Sequence, residues 1–401
     1  MLPYSPGVAG TVFLNTLFGG ISGLDYDAAT GTYYALSDDR SQNAPAGGNP
    51  AARFYTLSIA LDADGFVGTD PVTIQTVTPL QRPDGTPFPL LNVDPESIRV
   101  RRDGESLSLL FTSEGAASNS SNPPLQNPFV RETTTEGAFA SELATPRKFF
   151  PDGVGAAQTN GARNNLAFEN LTFSPDQSRV YAATESALVQ DGPIASLNST
   201  ANSRIVEFDV ATGAVLHEYV YVVDSFPVNP QGVFADNGLA ELLAVGEGTF
   251  LALERSFVAN YGNHVRIYRV EIGGSTDVSG MNSLAGQAFL PVTKTLVFTM
   301  TPQMGFNPDN LECLSFGPPL PDGSPTFVLA SDKNFNAASQ VTHFILLSVI
   351  NDGDLNGDGV IDGADLALLL SQRVGPGTGD LNGDGIVNAA DLAIVLGRWT
   401  A

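Results

Sequence analysis

Apolar and polar positions alternate along most of the first 350 residues in short bursts separated by Gly-, Asp- and Pro-rich turns, the pattern of β-hairpins rather than helices. Five segments share one form: ISGLDYDAATGTYYALSDDR (21–40), ESIRVRRDGESLSLLFTSEG (96–115), ENLTFSPDQSRVYAATESA (169–187), AELLAVGEGTFLALERSF (240–257) and ECLSFGPPLPDGSPTFVLASDKNF (312–335). Each reads as an apolar strand, a turn and an alternating second strand that ends at an acid. Glu96, Glu169, Glu241 and Glu312 open four of them at spacings of 73, 72 and 71 residues, and Ser22 holds the same place 74 residues before Glu96. A second hairpin lies between successive segments, as in 54–80 and in RIVEFDVATGAVLHEYVYV (205–223), which alternates about an Ala-Thr-Gly turn.

Two hairpins per repeat make a four-stranded antiparallel blade, and a recurring blade is the signature of a β-propeller. The expected fold is therefore all-β over residues 1–350, with five blades favoured. Six blades are the alternative if residues 273–300 hide one. The last repeat offers a single strand, Thr342 to Ile350, after its first hairpin. An orphan strand near Thr11 to Leu17 is expected to complete that blade, so that no long edge is left open.

The last fifty residues follow another rule. Asp354, Asn356, Asp358, Asp362 and Asp365 place oxygen ligands at positions 1, 3, 5, 9 and 12 of a calcium loop, with Gly359 at the sharp turn and the Val360 carbonyl at position 7. Asp380, Asn382, Asp384, Ile386, Asn388 and Asp391 repeat the pattern around Gly385. A short helix with apolar spacing follows each loop: Leu366, Leu369 and Leu370, then Leu392, Val395 and Leu396. Residues 351–401 thus read as a small α-helical domain of paired EF-hands that binds two calcium ions.

Composition narrows the chemistry. With 43 acidic and 19 basic residues the net charge is −24, which speaks against a nucleic-acid partner. Cys313 is the lone cysteine, too few for an intrachain disulfide or a thiolate zinc site. The three histidines show no ligand spacing, no G-x-S-x-G elbow occurs, and no apolar run is long enough to span a bilayer. What the chain has in quantity is carboxylate, a hard oxygen donor suited to calcium. The opening MLPYSPGVAG has neither a basic nor an apolar leader segment, so a removed signal or another export route is expected.

In a propeller, equivalent blade positions form a ring about the central channel. The second strands end at Asp38, Glu114, Glu185, Glu254 and Asp332, which are expected to ring the channel and hold one or more calcium ions. The competing reading makes them solvated strand ends. The acids that open the first strands divide evenly between metal ligation and bonding to backbone in the blade connections. Glu169 and Glu185 are the candidate catalytic carboxylates, and Arg163 and Arg255 the candidate anion clamps.

Two resemblances sit on these motifs. Residues 352–401 resemble a type I dockerin in having Asp at position 12 of both loops, although the loops start only 26 residues apart. Gly363-Ala364 and Ala389-Ala390 replace the hydroxyls that usually read the partner. The resemblance implies a secreted or surface-attached protein docked onto a cohesin-type domain, often one acting on polysaccharide. The strings GISGLDYD, DPESI, TSEG, FENLTFSPD, ATESAL, LERSF, DNLECLSF and SDKNFN resemble the phytase-like family, described by esterase-like activity of phytase. That implies a secreted hydrolase of phosphoester or carboxylester bonds acting on a small substrate with calcium. The alternative is a non-catalytic propeller that presents a binding surface.

Overall fold

The computed structural model describes residues 2–4, 12–13, 16–44, 46–62, 65–68, 70–117, 125–153, 158–304, 307–319, 325–336, 340–348, 353–356, 360–372, 379–381 and 386–399. Five four-stranded antiparallel sheets form the five blades of a propeller. The first blade is built from Ile21–Asp27, Thr32–Ser37, Arg53–Ile59 and Val72–Pro79, the second from Pro95–Asp103, Ser106–Ser113, Phe129–Thr134 and Phe139–Glu142. The third holds Phe168–Phe173, Arg179–Thr184, Ala201–Asp209 and Val215–Val223, the fourth Ala235–Gly246, Thr249–Val258, Gly262–Glu271 and Thr293–Met300. Residues 273–300 therefore hide no sixth blade: they carry a connection and the outer strand of the fourth.

The fifth blade mixes the two ends of the domain. Asn310–Phe316, Thr326–Asp332 and Phe344–Ser348 are followed outward by Leu2–Tyr4, with Pro3 opposite Ile345. The closing strand is thus not the Thr11–Leu17 segment, whose Val12–Phe13 and Thr16–Leu17 pair with each other instead. Pro3 argues against a strand in the sequence, yet a proline is tolerated on an outermost strand whose N–H need not enter the ladder.

Each blade buries both faces against its neighbours, which is why its inner strands are almost continuously apolar. Five separate hydrophobic clusters result, one at each blade–blade interface. Ile98 and Leu109 pack with Leu36 and Phe54 of the first blade, Val130 with Phe168, and Ile205 with Leu239. Leu243 and Leu253 pack with Leu311 and Leu329, and Val328 with Tyr33 and Tyr55, completing the circuit.

The channel axis is sealed by one ion pair. Arg99, fully buried, lies 2.9 Å from Glu241 Oε2 and donates to the carbonyls of Leu24, Leu242 and Leu314, in the first, fourth and fifth blades. Glu241 in turn accepts from Ser97 Oγ of the second blade and Leu171 N of the third. All five blades are therefore bonded to this pair. Burial pushes the Glu241 carboxyl up to about 7 against the pull of Arg99.

Residues 363–371 and 389–397 are the two α-helices near the C-terminus. Asp362 and Asn388 cap them, each with a reciprocal capping box to Asp365 or Asp391. Ile361, Leu369, Val387 and Val395 form the small core between them. Among the described residues no helix is long and apolar enough to cross a membrane.

Candidate functional site

A β-bulge interrupts the first strand pair of every blade. A bulge gives one strand an extra residue and re-aims its side chain. The residues so placed are Ser22, Glu96, Glu169, Ala240 and Glu312. The next ring comes from the residue that follows Ser37, Ser113, Thr184, Glu254 and Ser331 on the second strands: Asp38, Glu114, Glu185, Arg255 and Asp332.

This register changes two assignments in the fourth blade. Glu254 is not a channel ligand, because it pairs with Leu239 one position before the ring and points the other way. It is fully buried against Arg266 (3.1 Å), Lys294 (2.5 Å) and the Tyr221 hydroxyl (2.8 Å). The ring position belongs to Arg255, so four acids face one guanidinium. Glu241 is likewise one residue past the bulge and forms the axial pair with Arg99. The remaining clamp candidate, Arg163, donates to the carbonyls of Ala187 and Gly192 and ties two loops together rather than entering the channel.

Members of the two rings line a cup of about 210 Å³ together with Arg40 and Asp94: Ser22, Glu96, Glu169 and Glu312 from the first ring, and Asp38 and Arg255 from the second. Asp94 and Arg40 were not among the expected site residues, although Asp94 lies two positions before Glu96. Ligand oxygens of Asp94, Glu96 and Glu114 lie within 4.8 Å of one another, as do those of Glu114, Glu169 and Glu185. Glu114 belongs to both groups. Its Oε1 accepts from Ala167 N, while its Oε2 is buried without a partner, as are Asp38 Oδ1 and Asp332 Oδ2.

Electrostatics in the cup are strained. Burial, reinforced by neighbouring carboxylates, holds Glu96, Glu114, Glu169 and Asp38 well above the usual carboxylate range. Burial raises Glu185 and Asp94 to about 7 each, against the opposing charges of Arg255 and Arg40, and burial with Glu312 beside it raises Asp332 to about 8. Asp332 is also the strongest like charge acting on Asp38. Arg255 lies 3.3 Å from Glu185 and 3.4 Å from Glu312, and these acids outweigh the cost of its burial and keep it charged. Arg40 bonds Asp94 at 3.1 Å; its Nε and Nη2, like Nε of Arg255, have no partner.

Two glycines make room for this arrangement. A Cβ on Gly238 would collide with the Glu185 carboxylate, and one on Gly20, where φ is +63°, with Asp38 Oδ1. The fourth and first blades thus approach the ring acids through bare backbone.

In the C-terminal unit, Asp365 accepts from the backbone N–H groups of Leu355, Asn356 and Asp362, and Asp391 from those of Leu381 and Asn388. Both carboxylates are fully buried. The two loops are closed in the same way, each around its position-12 acid. Asp354, Val360, Asp380 and Ile386 lie in the described part of the loops, whereas Asp358, Asn382 and Asp384 fall outside the described residues.

Residues 16–335 match the family model described as "Phytase-like: Esterase-like activity of phytase". The chain belongs to the phytase-like family. No curated protein matches this phytase-like chain. Among solved structures it is similar to the alpha-L-arabinanase of Cellvibrio cellulosa, with 9% identity, a TM-score of 0.41 and coverage of 82% of this chain and 92% of that one. It is similar also to a bifunctional GH43-CE protein of Bacteroides eggerthii, with 10% identity and a TM-score of 0.40 over 87% of this chain. The phytase-like chain spans 36% of that protein's length. The periplasmic gluconolactonase of Pseudomonas aeruginosa gives 12% identity, a TM-score of 0.34 and coverage of 82% and 85%. Likeness at this level assigns no role to any residue.

Proposed function

We propose that this phytase-like protein is a secreted, calcium-dependent hydrolase of phosphoester or carboxylester bonds that works in the acidic cup. The observation that carries the reading is the convergence of buried carboxylates from several blades: Asp38, Asp94, Glu96, Glu169 and Glu312 line the cup, and Glu114, whose Oε2 has no partner, has a ligand oxygen within 4.8 Å of those of Asp94 and Glu96. Buried carboxylates in this number, without cationic partners to match, call for a cation. The donors are all hard oxygens at separations that suit calcium, so the residues fit the ion. Glu114 with Asp94 and Glu96, and Glu114 with Glu169 and Glu185, would hold it. Bound there, calcium would polarise the ester oxygen and acidify a water.

The protein's own groups divide the remaining work. Arg255 and Arg40 line the cup and are the candidate groups to orient an anionic substrate oxygen. Asp38, which lines the cup and whose carboxyl is held well above the usual carboxylate range by burial with Asp332 nearby, is the candidate donor to the departing oxygen. The wall of Glu96, Glu169 and Glu312 disfavours polyanions such as phytate unless extra cations bridge them.

The paired calcium loops and their symmetric closure support a dockerin-like role for residues 351–401: two bound calcium ions and attachment to a cohesin-type partner. Turnover of an aryl phosphate, an aryl phosphodiester and a short acyl ester is the test. Activity should need calcium and should fall about 100-fold or more in Glu185→Gln. If calcium-loaded protein turns over none of the three, the propeller is a binding module. Asp365→Ala with Asp391→Ala should abolish calcium-dependent cohesin capture and leave turnover intact.

A further inference from the structure

The outermost strand of a blade has a neighbour on one side only, and its free side invites a further strand unless it is short, polar, interrupted or covered. Four of the five blades meet that condition. In the first, the exposed side chains of Val72–Pro79 are Thr73, Gln75 and Thr76, and a proline ends the strand. In the second, Phe139–Glu142 has four residues and closes on the Glu142–Arg131 ion pair. The outer strand of the third, Val215–Val223, is covered by the connection that precedes Thr293: Val278 N donates to the Glu218 carbonyl and Val292 N to that of Val220. The fifth blade ends on the three residues Leu2–Tyr4, with Pro3 in the middle.

Thr293–Met300 in the fourth blade has none of these protections. It is eight residues long, and among the described residues its backbone bonds only to Gly262–Glu271. Its single charge, Lys294, is engaged by Glu254 at 2.5 Å and Asp224 at 2.6 Å. The ladder to Ile267 and Tyr268 steps over Val297, a bulge that breaks the alternation of faces. Leu296 and Val297, neighbours at the middle of the edge, are 52% and 57% exposed. Leu290 and Met304, just beyond its two ends, are exposed as well.

An isologous contact needs a patch that complements itself, and this edge does so. Antiparallel pairing about a two-fold axis between positions 296 and 297 sets Leu296 opposite the partner's Val297, Thr295 opposite the partner's Phe298 and Lys294 opposite the partner's Thr299. No charge faces a like charge across the seam. The two Lys294 residues lie five positions, or about 17 Å, apart along it, beyond the roughly 8 Å reach of charge at physiological salt.

We infer that the free edge of the fourth blade pairs with the same edge of a second copy, joining two propellers through one continuous sheet. Sedimentation velocity of the calcium-loaded full chain tests it, at about 0.15 M salt and roughly 1–100 µM protein. The mass should rise with concentration toward twice the 42.0 kDa of one chain. Leu296→Lys and Val297→Lys should each weaken association about 100-fold while melting like the parent, since both positions are half exposed. Register is read by disulfide trapping, for which the native Cys313 is buried. Leu296→Cys mixed with Val297→Cys should cross-link faster than either variant alone. Each chain carries a net charge of −24, so lowering the salt should loosen the dimer. A chain that stays monomeric throughout, a dimer indifferent to both lysine variants, or cross-linking no faster in the mixture overturns the inference.

Discussion

The axial pair of Arg99 and Glu241 allows a quantitative test of how the ring is held. Arg99→Met keeps the volume and apolar stem of the side chain and removes its charge. The change deletes the 2.9 Å ion pair and the bonds to Leu24, Ile98, Leu242 and Leu314, and leaves Glu241 buried with only Ser97 and backbone N–H groups for company. Stranding one member of a buried pair costs about 3–5 kcal/mol. The unfolding entropy of a propeller of about 330 residues is roughly 0.7 kcal/mol per degree, so the melting temperature should fall by about 4–7 °C. Differential scanning calorimetry at fixed free calcium is the assay, since bound ion itself shifts the midpoint. The companion Arg99→Met/Glu241→Leu removes both charges and should recover most of the loss, because a buried pair replaced by apolar groups is often near neutral. A single variant melting within about 1 °C of the parent, or a double variant no better than the single, would refute the idea that this pair ties the blades together.

Three further outcomes are expected. After chelation, the cup acids keep folded-state pKa values raised above their unfolded ones, so their stabilising effect is present at low pH and lost as pH rises through about 7 to 8. Thermal melts in EDTA should therefore fall between pH 5 and 9 and calcium should restore them; a flat or rising EDTA series would contradict the arrangement. Gly238→Ala should displace the Glu185 carboxylate and weaken calcium binding to the propeller by calorimetry, while binding by the C-terminal loops is untouched. Arg102, bonded to Asp27 across the first and second blades, holds the Asp27 carboxyl below its usual range, so that contact stabilises above the unfolded pKa and fades as pH falls. With Arg102 partly exposed, Asp27→Asn should cost about 1 kcal/mol at pH 7 and almost nothing near pH 3 in urea titrations.

Hairpin periodicity carried most of the fold, because four of the blades are two hairpins each, with strand order following chain order. The positions of the ring acids were legible to within one residue, whereas Arg163 lies on loop carbonyls and Asp94 and Arg40 had no signal in the repeat. Ring acids follow a small hydroxyl side chain at Ser37, Ser113, Thr184 and Ser331, and the fourth blade departs from this with Glu254 in the hydroxyl's place. That departure was the available signal that Arg255 stands in the ring. Spacing alone concealed it, since a shift of one residue alters a repeat of about 72 by almost nothing yet turns the side chain to the opposite face. Arg99 carried no such signal: its role depends on an axis where carbonyls from distant blades meet. The closing strand was missed because its three residues include a proline that only an outermost position accommodates.

The order of strands in the fifth blade bears on how the molecule carries load. The chain leaves the propeller from Phe344–Ser348, which is hydrogen-bonded on one side to Thr326–Asp332 and on the other to Leu2–Tyr4. Tension applied to the C-terminal segment is delivered to a strand held along both edges, where ladder bonds resist together instead of opening one at a time. The weak member is the flank of three residue pairs contributed by Leu2–Tyr4. Under force, the first event should be release of that short strand, leaving the inner ladder and the cup above it in place.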